Sequence, residues 1–215
     1  LAAVSQAIDG AAEEVVRGDL DDHFPLVVYQ TGSGTQSNMN SNEVIANRAN
    51  QILGQPLGSK SPVHPNDHVN HAQSTNDSFP TAIHVACASE CHDRLLPALE
   101  SLRGCFTELA EKYSGIVKIG RTHLQDATPL TLGQEIGGWG DQLRISEHQI
   151  KAALELVCEL PIGGTAVGTG LNTREGYSEM VPLVLAGTTG IPFVAAPDKF
   201  AQLGGKEALV ALSGG

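Results

Sequence analysis

The chain has 215 residues, with 24 Asp and Glu against 13 Lys and Arg, a formal charge of −11, 41% hydrophobic residues and only 4% aromatics. That charge argues against nucleic acid and anionic membranes as partners, which need a basic face, and no run of eighteen apolar residues provides a membrane-spanning helix. The composition, rich in Ala, Gly and Leu, suits close-packed helices better than a β-sandwich, so the expectation is a soluble globular protein with a sizeable core.

Residues 1–17 carry Val4, Ile8, Ala11, Ala12, Val15 and Val16 near a 3.6-residue period, which predicts a helix entered in mid-course. No signal or transit pattern is visible. An acidic turn over 18–25 and an apolar run over 26–29 lead into TGSGTQSNMN at 31–40, a loop of small hydroxyl and amide residues. The spacing of Val44, Ile45, Ala49 and Ile52 predicts a helix over 42–53, with Gly54 as its C′ residue. A small-residue loop running into a helix is either an ordinary N-cap or an anion site, because free amide N–H groups and the positive helix end face the loop.

The stretch 60–71 holds His64, His68 and His71 between two prolines. Pro65 argues against a helical pair of zinc-binding histidines there, and no metal is expected. QSTNDS at 73–78 is a second polar loop, read as preceding a helix that starts after Pro80. In that helix Leu95, Leu99, Leu102, Phe106, Leu109 and Tyr113 follow at alternating intervals of four and three, the seam of a bundle core, with Pro97 expected to disturb the ladder. His84, Cys87 and Cys91 could share a helix face at offsets of three and four, but no metal site is expected there. With Cys105 and Cys158, the cysteines read as free thiols in helices.

Residues 115–120 read as a short connection without a sheet. The loop 120–128, GRTHLQDAT, combines a hydroxyl, an imidazole, an amide and a carboxylate. His123 titrates near neutrality and is the candidate proton donor and acceptor. A helix over 129–160 repeats the seam through Leu132, Ile136, Trp139, Leu143, Ile150 and Val157. Two such helices, each roughly 45 Å long at 1.5 Å per residue, predict an elongated all-α bundle. The glycine-rich PIGGTAVGTGLN at 161–172 lacks the Gly-Lys-Ser/Thr end of a P-loop and follows a helix, so no nucleotide site is expected. Shorter helices are predicted over 177–189 and 205–213.

Three polar loops, at 31–40, 73–78 and 120–128, thus stand before helices with neutral donors. Charge-assisted hydrogen bonds of about 1.5–3 kcal/mol each let a few donors hold a small dicarboxylate without surplus lysine.

TGSGTQSNMN with Asn42-Glu-Val, HPND at 64–67, QSTND at 73–77, GRTHLQDATP at 120–129 and GGTAVGTG at 163–170 closely resemble class II fumarase (fumarate hydratase) along essentially the whole chain. The resemblance implies the all-α fumarase/aspartase superfamily fold, a homotetramer with active sites shared between subunits, and reversible hydration of fumarate to L-malate, a tricarboxylic acid cycle reaction, without metal or organic cofactor. Carried over by position, Ser33, Gly34, Thr35, Ser74, Thr75, Asn76 and Thr122 bind substrate, and His123 moves the proton through a bound water. His64, Pro65, Asn66 and Asp67 match a secondary dicarboxylate site. Aspartase carries Gln where this chain has His123, which favours a hydratase over an ammonia-lyase. The family's Gly-Ser-Ser…Met-Pro…Lys loop, source of the serine base, does not occur in these residues. The expectation is therefore the middle of a fumarase: 1–76 from the N-terminal domain, 77–215 from the central helical domain, and no C-terminal domain. Read alone, such a chain is either part of the enzyme or a helical, dicarboxylate-binding assembly without turnover. A cytoplasmic location, or the mitochondrial matrix in a eukaryote, goes with it.

Overall fold

The computed structural model describes residues 2–27, 29 and 32–215, so Leu1, Val28, Gln30 and Thr31, the first residue of the TGSGTQSNMN stretch, lie outside the described residues. Helix makes up 63% of the chain, as an all-α fold requires. Two compact units divide it: the described residues of Leu1–Ile83 with Leu160–Val184 and Val194–Gly205, and His84–Glu159 with Leu185–Phe193 and Lys206–Gly215.

In the first unit, α1 (Ala2–Val16) packs on α2 (Thr35–Ile52). The contact is built on small residues: Ala7 and Ala11 meet Ala46, Ala49 and Val63, flanked by Val4, Ile8, Ile45 and Leu53. Alanine costs no side-chain entropy and lets two backbones approach, so a modest apolar stripe closes a dry core. Arg48 of α2 grips Glu14 of α1 through both carboxylate oxygens, which lowers the Glu14 carboxyl below its usual range. Buried Asn50 fixes the following loop, accepting from the Val63 N–H at 2.9 Å and donating to its carbonyl at 2.8 Å.

Helix α2 begins at Thr35, not at 42 as its apolar period suggested. Its first residues are too polar to register as a helix by periodicity. What starts it is Gly34, the N-cap, in a left-handed conformation at φ 73°. Similarly α3 (Thr75–Glu90) starts before Pro80 rather than after it. A proline near a helix start loses only one rung of the ladder, and its fixed φ already suits the helix.

In the second unit, α3 passes through a π-turn (Cys91–Leu95) straight into α4 (Leu96–Lys112). The Leu96 N–H bonds to the Cys91 carbonyl, one residue further back than in an α-helix, just before Pro97. The expected disturbance at Pro97 is this widened turn. The chain then forms an antiparallel hairpin of β1 (Val117–Thr122) and β2 (Gln125–Thr131), with Val117 opposite Thr131 and Thr122 opposite Gln125. Neither a sheetless connection nor a plain loop is found here. The strands are short and exposed, and the turn residues His123 and Leu124, at φ 52° and 62°, are not the Asn-Gly or Asp-Gly pair that signals such a turn.

Helix α5 (Leu132–Val157) opens on a capping box in which Thr131 and Gln134 satisfy each other's backbone N–H groups. It therefore starts at Leu132 and ends before 160. It runs antiparallel to α4, with Phe106 edge-on to Trp139 at 6.1 Å and Gly140 against the Phe106 Cβ. The two seams are only partly covered within this chain. Leu102 and Trp139 are each 45% exposed, and no residue of α4 is buried, whereas α5 buries Ile136, Ile150, Ala153 and Val157.

Two-residue strands β3 (Glu159–Leu160) and β4 (Val194–Ala195) pair near α6 (Tyr177–Thr189) in sequence. The predicted 205–213 helix is α8 (Glu207–Gly214), and a short helix that was not expected, α7 (Lys199–Gly204), precedes it. No described helix is long and apolar enough to cross a membrane, and all four cysteines are free, Cys91 and Cys158 buried.

Candidate active site

The first two polar loops meet in the first unit, at the N-termini of α2 and α3. Gly34 is buried, and a side chain there would overlap the Phe79 ring of α3, so only glycine lets the two helix starts touch. Asn38, one turn into α2, ties them together: its Nδ2 donates to Thr75 Oγ1 at 2.9 Å, and Ser78 Oγ donates to its Oδ1 at 3.2 Å. Ser33 and Thr35 are exposed, their hydroxyls 3.3 Å apart, while Ser74 and Thr75 are half-buried and Asn76 is exposed. Asn38 was visible in the sequence only as one polar residue among many. Its bridging role needs a contact across 37 residues.

Between these loops and the glycine-rich segment lies an open cavity of about 310 Å³, lined by Asn38, Ser74, Thr75, Thr165, Leu171 and Asn172 among others. None of its lining side chains is charged. It offers hydroxyls and amides, with α2 and α3 presenting their positive ends, which suits a small polar anion. A second cavity of the same unit, about 370 Å³, is lined by Leu20, His23, Glu43, Arg48 and Gln51, but Arg48 is already engaged by Glu14.

Beneath the first cavity sits Asp77, fully buried. Its Oδ1 accepts from the Ser74 N–H at 2.9 Å, and its Oδ2 from the N–H groups of Gly163 and Thr165 at 3.0 and 2.8 Å. Burial, and then the Asp77 charge, push the Tyr177 hydroxyl up; burial pulls the Lys199 ammonium down, against Glu179 and Asp77. Thr165 is buried at φ 55°, and its Oγ1 has no hydrogen-bond partner among the described residues.

The histidine-rich segment forms one π-helical turn (Pro65–Val69), capped by His64. His64 Nδ1 accepts from the N–H groups of Asn66 and Asp67, both at 3.3 Å, which puts the ring proton on Nε2. His68 Nδ1 accepts in turn from the His64 N–H at 3.0 Å. Pro65 is buried, His64 half-buried, and Asn66 and Asp67 exposed.

Thr122 and His123 belong to the second unit, not to the cluster of the other two loops. His123 occupies the hairpin turn with φ 52°, exposed beside Leu124, which is 94% exposed. Arg121 and Asp126 pair across the strands at 3.2 Å. Among the described residues, no cluster of three or more His, Cys, Asp or Glu side chains could hold a metal ion. His84 is a buried core residue with Nδ1 2.8 Å from the Val157 carbonyl.

A family model described as Lyase matches residues 1–215, and the chain belongs to that lyase family. Fumarate hydratase class II 1 of Pseudomonas aeruginosa is 57% identical over 211 residues, which are 98% of this chain and 46% of that protein. The mitochondrial fumarate hydratase of Danio rerio is 59% identical over 211 residues, 98% of this chain and 42% of its own length. The crystal structure of class II fumarase from Schistosoma mansoni matches with a TM-score of 0.90 at 41% identity, covering 100% of this chain and 48% of that one. The chain thus spans less than half the length of these relatives, and its fold is of the expected fumarase/aspartase type.

Proposed function

We propose that the whole protein catalyses the reversible hydration of fumarate to L-malate. The observation that carries this reading is the 57–59% identity, over 98% of the chain, to proteins named fumarate hydratase. In this reading the neutral donors of Ser33, Gly34, Thr35, Ser74, Thr75 and Asn76, with Thr122, hold the substrate carboxylates. Fixed donors aimed at a carboxylate stabilise the extra charge that develops when a proton leaves the adjacent carbon, without the reorganisation that water requires. His123 gives and takes the proton through a bound water, a task suited to an imidazole, which can both donate and accept. His64, Pro65, Asn66 and Asp67 form a secondary dicarboxylate site. The chemistry is acid–base and draws on no metal or organic cofactor.

The serine base implied by the family resemblance has no matching stretch in these 215 residues. That observation favours a second reading for the isolated chain, a dicarboxylate-binding helical assembly without turnover. We further propose a homotetramer with sites shared between subunits, supported by the exposed apolar seams on α4 and α5. Residues 1–76 belong to the N-terminal domain and 77–215 to the central helical domain in this proposal. The location is the cytoplasm or the mitochondrial matrix, in line with bacterial and mitochondrial relatives.

The test follows fumarate by its ultraviolet absorbance, in the whole protein and in the 215-residue chain. Turnover by the whole protein and none by the chain fits both readings. His123→Asn should cut whole-protein turnover by about 10²-fold or more, the scale of a lost general acid or base. Near-normal turnover would remove His123 from the mechanism, and ammonia release from aspartate would replace the hydratase with an ammonia-lyase.

A further inference from the structure

The glycine-rich segment after α5 has no part in the reading above, yet it is bound to the second polar loop at two points. The first is Asp77, whose carboxylate is divided: one oxygen serves Ser74 at the start of α3, the other serves Gly163 and Thr165, 86 and 88 residues away. A carboxylate only accepts, and three backbone N–H groups converging on it are all satisfied. The second is Asn76, whose Nδ2 donates to the Ala166 carbonyl at 2.7 Å. Asn76 and Asp77 are adjacent, and so are Thr165 and Ala166, so the two contacts fix one loop against the other.

The segment is also strained. Thr165 is β-branched and sits at φ 55°, a conformation such residues rarely adopt and one that persists only where surroundings impose it. Here the Asp77 carboxylate imposes it, through the Thr165 N–H. The strained residue lines the cavity between the substrate loops, opposite Asn38, Ser74 and Thr75.

We propose that Asp77 is a positioning residue: it holds residues 163–166, of which Thr165 and Ala166 line the dicarboxylate cavity, and with them the Ala166 carbonyl that fixes the side-chain amide of Asn76. This rests on the hydration reading for the identity of the ligand, not for the clamp itself. A carboxylate used only for folding would affect stability alone. A positioning carboxylate weakens substrate binding while leaving the proton transfer at His123 intact.

The experiment uses the whole protein and Asp77→Asn, which keeps the size but turns one acceptor oxygen into an amide donor facing backbone N–H groups. Steady-state kinetics with fumarate should give KM raised about 10-fold or more with kcat within about 3-fold, the pattern of lost binding. Asn76→Ala combined with Asp77→Asn should lose less than the product of the two single losses, because both act on the same pair of loops. Losses that multiply, or unchanged kinetics in a folded Asp77→Asn protein, would overturn the proposal. Amide hydrogen exchange supplies an arm that needs no turnover. In Asp77→Asn, residues 74–76 and 163–168 should exchange faster together, and acceleration confined to one segment would overturn the clamp. If the variant does not fold, the wild type decides: saturating L-malate should slow exchange at 163–168 in step with 74–76, and protection confined to 74–76 counts against it. A wild-type protein that turns over no fumarate defeats the hydration reading alone, and the exchange pattern in Asp77→Asn still decides the clamp.

Discussion

His84 is sealed inside the second unit with Nδ1 at 2.8 Å from the Val157 carbonyl, while His123 stands exposed in a hairpin turn. The sequence singled out His123 by its hydroxyl, amide and carboxylate neighbours, whereas the burial of His84 came only with the fold. Burial, reinforced by the nearby Lys206 charge and opposed by the Val157 and Glu159 backbone, lowers the His84 pKa below the ordinary value of about 6.5. The unfolded chain therefore takes up a proton at this histidine as pH falls through about 6.5, while the folded chain resists until its lower pKa. Stability from His84 is full above that pH and is lost on acidification. Urea midpoints at pH 7.5 and 5.5 should fall less in His84→Gln than in wild type, and equal falls would show that His84 does not govern the acid limb. Gly34 and Asp77 belong to the same scale but were less legible. Both stood in quoted motifs, yet the need for glycine appears only when the Phe79 ring is seen against it, and the need for a carboxylate only when three N–H groups converge on it.

The helices over 2–16 and 132–157 could be read from the 3.6-residue period, because one face of each packs on a neighbour. The starts of α2 and α3 could not, since their first turns carry the polar side chains of the site, and function overrides the pattern. The hairpin escaped for a different reason: its strands bury little, so no alternation was imposed on them. Where two elements approach most closely, the physics is sharp. A Cβ on Gly133 would lie 2.8 Å from Ser114 Cα and press on the Ala110 carbonyl, backbone atoms that cannot swing away. Gly133→Ala should therefore destabilise the α4–α5 pair by about 1–3 kcal/mol, the usual cost of overpacking. Urea unfolding measures it, and a stability equal to wild type would mean that the helices separate at little cost.

At the scale of the molecule, the heptad seams of α4 and α5 are well formed but only partly covered. Leu102 and Leu109 on α4, with Trp139 on α5, leave apolar seam surface exposed. A patch of that kind marks an interaction surface, and in the assembly proposed here further copies of the same helices cover it. Leu102→Glu with Leu109→Glu should lower the mass of the whole protein measured by light scattering while leaving its helical circular dichroism unchanged, since α4 buries neither residue. An unchanged mass would move the assembly surface elsewhere.

By itself the sequence determined the helical class, the order of the polar loops and the residue types offered for acid–base chemistry. These depend on period, composition and motif, which are local. The tertiary structure alone decided which loops share a cavity, that the third polar stretch is a hairpin, that the seams are only partly covered, and that a glycine-rich segment is held by Asp77. The shared cavity and the hold of Asp77 depend on contacts across 37 to 88 residues, and the closing of such distances leaves no periodic trace in the chain.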